Sequence, residues 1–122
     1  TESIARELRI RAAGFAEPAC SLSGGNQQKV VLARWLLARA SIFLMDEPTR
    51  GIDVGAKAEV YELIRRLASE GAAIVLVSSE LEEILGLAHR ILVMHRGRIT
   101  GELSRDQARE EAVMRLATGG AA

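Results

Sequence analysis

Two short stretches of this chain combine residue types that can do chemistry. The first is Ser23-Gly24-Gly25, inside LSGGNQQKV, Leu22 to Val30. Ser23 can cap a helix that starts there, and the two glycines leave backbone N–H groups with no Cβ in front of them. A helix N-terminus with bare donors and a hydroxyl is a ready anion site. The second is Asp46-Glu47, which ends the apolar run Ile42 to Met45. A strand would hold both carboxylates rigidly at its end. Asp46 could bind Mg²⁺ directly or through water, while Glu47, pointing elsewhere, could polarise an attacking water. Each stretch alone also has a plain reading: a serine cap with a glycine turn, and a strand end with surface acids. Their order carries the information, because LSGGNQQ precedes FLMDEPT by only about one helix.

Regular elements must position these residues. Residues 2–10 read as a short helix with Ile4, Ala5 and Leu8 on one side, and 11–22 as a loop containing Gly14 and Pro18. Thr1 falls in what reads as the middle of a helix, a hint of truncation. A helix is expected over 25–40, with Val30, Val31, Arg34, Leu37 and Ala38 at helical spacing. Ile42–Met45 reads as a strand stopped by Pro48, followed by a loop with Gly51 and Gly55. Residues 56–69 carry the helical stripe Val60, Leu63, Ile64 and Leu67, with Gly71 as the stop.

Ala73–Val77 is a second, wholly apolar strand. Ser79 with Glu82 predicts a capping box for a helix over 80–88. Arg90–His95 is a third strand, turned at Arg96-Gly97 into a short antiparallel strand, Arg98–Leu103. Ser104 with Gln107 predicts another capping box and a helix to Ala117, with Ala108, Ala112, Val113 and Leu116 on its packed side, before a loose end at Gly119-Gly120. Strands alternating with helices give βαβ units and a mostly parallel α/β sheet, whose ligands sit beyond the carboxyl ends of the strands. Asp46-Glu47 and Ser78-Ser79-Glu80 lie at two such ends.

Composition narrows the function classes. The chain has 122 residues, enough for one domain with a real core. Its content is 48% apolar but only 3% aromatic, so the core must be built from Leu, Ile, Val and Ala. Sixteen basic and 16 acidic residues cancel, which argues against a general nucleic-acid binder. The single cysteine, Cys20, allows no intrachain disulfide and no cysteine metal site, as expected of a reduced cytoplasmic protein. The longest apolar run, Ala72 to Val77, is strand-sized, and no signal peptide is visible. His89 and His95 read as surface or strand-end residues, Trp35 as core or interface, and Arg65-Arg66, Glu80, Glu82 and Glu83 as solvated helix faces.

At this point the chain resembles a family. LSGGNQQKVVLARWLL is similar to the signature motif of ATP-binding cassette (ABC) ATPases, SIFLMDEPT to their Walker B strand, and RGIDVGAK to the D-loop that follows. GGNQQKV, DEPTRGIDVGAK, SSELEEIL and RILVMHRGRITGEL resemble, more narrowly, the second cassette of tandem ABC proteins that energise monosaccharide import of the ribose, xylose and galactose type. The resemblance implies a partial P-loop NTPase fold: residues 1–40 a remnant of the helical subdomain with the signature motif, and 41–122 the C-terminal part of the RecA-like ATPase core. It implies ATP and Mg²⁺ as cofactors. Ser23, Gly24 and Gly25 would contact the γ-phosphate of ATP held by an opposite cassette, supported by Gln27 and Gln28. Asp46 would hold Mg²⁺, Glu47 would be the general base, and Asp53 would sit at the cassette–cassette interface. The implied partners are another cassette and transmembrane permease subunits, not nucleic acid, with the protein peripheral on the inner face of the cell membrane.

Two departures matter. Ser79 falls where most ABC ATPases place a switch histidine, although the sugar-importer subgroup resembled here shows serine in its second cassette; a site using Ser79 should hydrolyse poorly. No G-x-x-x-x-G-K-[ST] phosphate loop occurs; Gly51 to Gly55 is followed by Ala56-Lys57 and lacks that geometry. The phosphate-loop strand should lie between the second and third strands here, so the sheet should have a hole. Instability, self-association at strand edges or borrowing of a partner's strand would follow. Two rivals remain: a non-transport ABC ATPase, and a non-catalytic interaction fragment.

Overall fold

Short apolar runs set most of the strands, and a computed structural model places the strands in two separate pairs. It describes residues 2–12, 14, 16 and 18–120. Thr1, read as mid-helix, lies outside the described residues, as do Ala13, Phe15 and Glu17 of the expected loop and the last two alanines. The elements are α1 (Glu2–Glu7), a 3₁₀ turn (Ala19–Ser21), α2 (Gly24–Leu37), β1 (Ile42–Asp46), α3 (Val54–Ser69), β2 (Ala73–Val77), α4 (Leu81–Leu87), β3 (Arg90–His95), β4 (Arg98–Ser104) and α5 (Glu110–Ala117). Two compact units result, Thr1–Val77 and Ser78–Ala122.

In the first unit β1 and β2 pair in parallel, Ile42 opposite Ala73 through Asp46 opposite Val77. One face carries Phe43 and Met45, both buried, with Ile74 and Leu76 beside them. Helix α3 packs on β2 and buries the stripe Val60, Leu63, Ile64 and Leu67, as its spacing predicts. The other face is open: Ile42, Leu44, Val75 and Val77 are exposed, Leu44 at 79%. Helix α2 buries Gly25, Lys29, Leu32 and Ala33. The expected stripe is displaced around the helix, since Val31 and Leu37 are exposed and Trp35 points outward too. Tertiary contact with α3 has chosen a face holding a glycine and a lysine over the more apolar one. Gly55, expected in the loop, sits in the first turn of α3.

In the second unit β3 and β4 form an antiparallel hairpin with a bulge between Val93 and Met94. Its core is Ile91, Val93, Val113 and Leu116, with Leu81, Ile84, Leu85, Leu103 and Ala108 against it. The Thr100 hydroxyl donates to the carbonyls of Val93 and Leu116, and His95 Nδ1 lies 2.7 Å from the Ala117 carbonyl oxygen, pinning the end of α5. Neither predicted capping box starts its helix. The N-cap of α4 is Glu80, not Ser79, and the Ser78 hydroxyl accepts the Glu80 N–H instead. Ser104 does bond Gln107, but the pair closes a turn, and α5 begins only after Arg109. Glu83, expected on a solvated face, is buried at 1%, and Arg66 is half-buried. The parallel pairing is limited to β1 and β2, and β2 and β3 lie in different sheets among the described residues.

Candidate functional site

Ser23 adopts extended dihedrals at the N-cap of α2, yet its side chain makes no capping bond. Its Oγ instead accepts from Asn26 Nδ2 at 2.9 Å, and Asn26 Oδ1 accepts the Arg11 N–H. The first intrahelical backbone bond is Gln27 N–H to the Ser23 carbonyl. The N–H groups of Gly24, Gly25 and Asn26 precede it, among the donors that a helix start leaves without an intrahelical acceptor. No acid lies in the first turn of α2, so the helix itself supplies no carboxylate against the positive end of its dipole. Gln27 folds back: its Nε2 donates to the Leu22 carbonyl at 2.8 Å and reaches that of Cys20, bracing the loop from behind. Gln28 is half-buried in the same turn.

The two glycines do different work. A Cβ on Gly24 would meet nothing closer than Ile52 Cγ2 at 3.6 Å and the Gly51 carbonyl oxygen at 3.7 Å. A Cβ on Gly25 would stand 2.5 Å from the Ala56 Cβ. Gly25 is therefore a packing glycine and Gly24 an exposed one. Gly25 meets Ala56 and Lys29 meets Glu59, so α2 and α3 run in the same direction with their N-termini side by side.

The loop after β1 reaches the start of α2, where Gly24 faces the Gly51 carbonyl and Ile52. At the end of β1, Asp46 is exposed and Glu47 is half-buried. The Glu47 N–H continues the parallel ladder to the Val77 carbonyl at 2.8 Å, while its φ of +46° turns the chain sharply. A non-glycine residue in that conformation costs about 1–2 kcal/mol, and such outliers gather at functional sites. Pro48 and Thr49 are buried beneath the turn, and Arg50 N–H closes it onto the Glu47 carbonyl. Asp53 then caps α3, its carboxylate accepting the Ala56 N–H at 2.9 Å. Spacing alone did not reveal this capping role. Nor did it reveal Lys29, whose ion pair with Glu59 was missed because a lysine in a polar run reads as surface.

The structure thus brings Ser23, Gly24, Gly25, Gln27, Gln28, Asp46, Glu47 and Asp53 into one unit. Ser79 belongs to the other unit, exposed in the bend before α4. Among the described residues no group of three or more His, Cys, Asp or Glu could hold a metal unaided. Mg²⁺ suits a single exposed carboxylate only when phosphate oxygens complete its shell, a donor set that Asp46 fits.

The fold of this chain is that of part of an ATP-binding cassette. Residues 2–50 match the family model for ABC transporters. A solved ATP-binding cassette of an ABC transporter superposes with a TM-score of 0.79 at 22% identity, covering 93% of this chain and 47% of that one. A dimeric bacterial ABC transporter cassette gives 0.73 at 23% identity, over 85% of this chain and 45% of its own. The chain is part of an ABC-type ATP-binding cassette. It is 56% identical over 97% of its length to a ribose import ATP-binding protein of Rhizobium etli, and 55% identical over 98% to a xylose import ATP-binding protein of Geobacillus kaustophilus. It spans 23% and 24% of those two relatives' lengths.

Proposed function

We propose that this chain serves as the C-terminal part of a cassette in an ABC importer of monosaccharides, completing a partner cassette's ATP site through Ser23-Gly24-Gly25. The observation that carries this is the start of α2. Its capping side chain is turned onto Asn26, its first turn holds no acid, and Gly24 is exposed and puts no side chain in front of the backbone. A terminal phosphate carried by another subunit is the ligand such an edge favours. The names of the 55–56% identical relatives supply the sugar, and the dimeric neighbour supplies the two-cassette arrangement.

In this reading Asp46 would hold Mg²⁺ and Glu47 would orient or deprotonate water, with ATP supplying the phosphoryl group. Asp53, capping α3, keeps the turn after Glu47 against the cassette–cassette interface. Residues 1–40 act as helical subdomain and 41–122 as ATPase core. The sequence holds no phosphate loop, so the chain alone does not hydrolyse ATP. Ser79 carries no proton-bearing cation, so a site built with it turns over slowly. Permease subunits place the protein on the inner face of the membrane; among the described residues no helix is long and apolar enough to cross one.

The test mixes purified chain with an ATP-loaded cassette that has an intact phosphate loop. Association should require Mg-ATP, and Gly24→Asp should abolish it by placing a carboxylate against the phosphate. Equal association without nucleotide, or ATP hydrolysis by this chain alone that Glu47→Gln abolishes, would overturn the reading.

A further inference from the structure

Lys29 is 6% exposed, and a buried ammonium must be paired. Its Nζ is bonded to Glu59 Oε2 on α3 and donates to the Arg9 carbonyl at 3.3 Å, just past the end of α1. One cation thus ties α2 to α3 and to the turn that follows α1. It lies one helical turn beyond Gly25, and Glu59 lies about one turn beyond Ala56. The ion pair and the bare-glycine contact are therefore successive steps of one seam. They differ in what they fix. A glycine against an alanine lets two helices come close but is smooth along the axis. A directed hydrogen-bonded charge pair resists sliding, and buried polar contacts are best attested as register-setting devices.

We infer that Lys29 and Glu59 are positioning residues. They set the slide of α2 along α3, so that Ser23–Gly25 and the turn ending at Asp53 are held as one piece. Gly24 lies over the Gly51 carbonyl and Ile52, so a slip between the helices would move the donors of α2 directly off that turn. This deepens the proposed function and rests on the start of α2 facing a nucleotide, but its own test needs none.

Amide hydrogen exchange is measured on the full chain for wild type, Lys29→Glu, Glu59→Lys and the double exchange. Each single reversal should speed exchange at Gln27 and Ala56 by about tenfold or more, while Ile91 and Val93 in the other unit stay within about twofold. The double exchange should bring both amides back to within about threefold of wild type. Should the reversals unfold the chain, Glu59→Gln, which keeps the shape, should still speed the same amides by about threefold or more. Unchanged exchange in the single variants, no recovery in the double exchange, or equal acceleration across Phe43–Met45 would overturn the inference. A seam that behaves as expected in a chain showing no nucleotide-dependent association would instead count against the function and leave the seam standing.

Discussion

Gly25 has no room for a methyl group, and this separates it from its neighbour. With the Ala56 Cβ at 2.5 Å from where its own would be, Gly25→Ala must push α2 off α3. Overpacking of this kind costs about 1–3 kcal/mol. Ala56→Gly should restore most of the loss in the double variant, since it removes the atom that is struck. Gly24→Ala meets nothing closer than 3.6 Å and should leave the unfolding free energy, measured in urea, within about 0.5 kcal/mol of wild type, as surface changes do. The pair of measurements tells packing from ligand contact in two adjacent identical residues. A cost for Gly24→Ala equal to that for Gly25→Ala would mean the start of α2 is a structural turn and nothing more.

At the scale of elements, the seam between α2 and α3 has a pH signature. The Glu59 carboxyl is held below its ordinary 4.5, first by the hydrogen bond from Lys29, then by the attraction of Lys29, Arg11 and Arg9, against the opposing effect of burial. A carboxyl lowered in the folded state stabilises it above the unfolded value, and that contribution is lost as pH falls through the folded one. Wild-type stability, followed by the fluorescence of Trp35 on α2, should therefore drop below about pH 4.5, and Glu59→Gln should drop less steeply over the same window. At pH 7 Glu59→Gln should cost about 1–3 kcal/mol, less than for a fully buried pair because Glu59 reaches solvent. Identical acid profiles would sink the assignment. In the hairpin unit the anchor is apolar: Leu116, 1% exposed between Gly101 and the strands, should cost about 2–5 kcal/mol as Leu116→Ala. Legibility in the sequence followed the same divide. Strands β1, β2 and β3 were readable as short apolar runs, and α3 by the period of its apolar stripe. The starts of α4 and α5 were not, because Ser79 and Ser104 match a capping pattern whose bonds local turns satisfy instead, whereas Ser23 does stand at the start of α2. The buried face of α2 was hidden for a different reason. Its contact is built on a glycine that allows approach and a lysine that finds a partner 30 residues away. The signature and Walker-type residues were legible as types and order, and the packing role of Gly25 and the cap at Asp53 only from coordinates.

At the scale of the whole chain, the open face of the β1–β2 pair decides behaviour in solution. A parallel pair is ordinarily covered on both faces, and this one presents Ile42, Leu44, Val75 and Val77 to water, Leu44 at 79% and Val75 at 55%. Contiguous apolar surface of this kind marks an interaction site or an aggregation hazard. Nothing in the charge opposes contact, because 16 cations and 16 anions leave no net repulsion between copies. The purified chain should therefore sediment well above its 13.2 kDa at micromolar concentration. Leu44→Lys with Val75→Lys should move it toward monomer without loss of helix signal, since neither side chain contributes to the covered face. Salt separates the mechanisms that could lie behind such association. Apolar contact strengthens as sulfate is added, whereas pairing through surface ions weakens with ionic strength. A chain that stays monomeric at all concentrations, or oligomers that dissolve in salt and ignore the two lysines, would mean that the open face is not what holds the copies together.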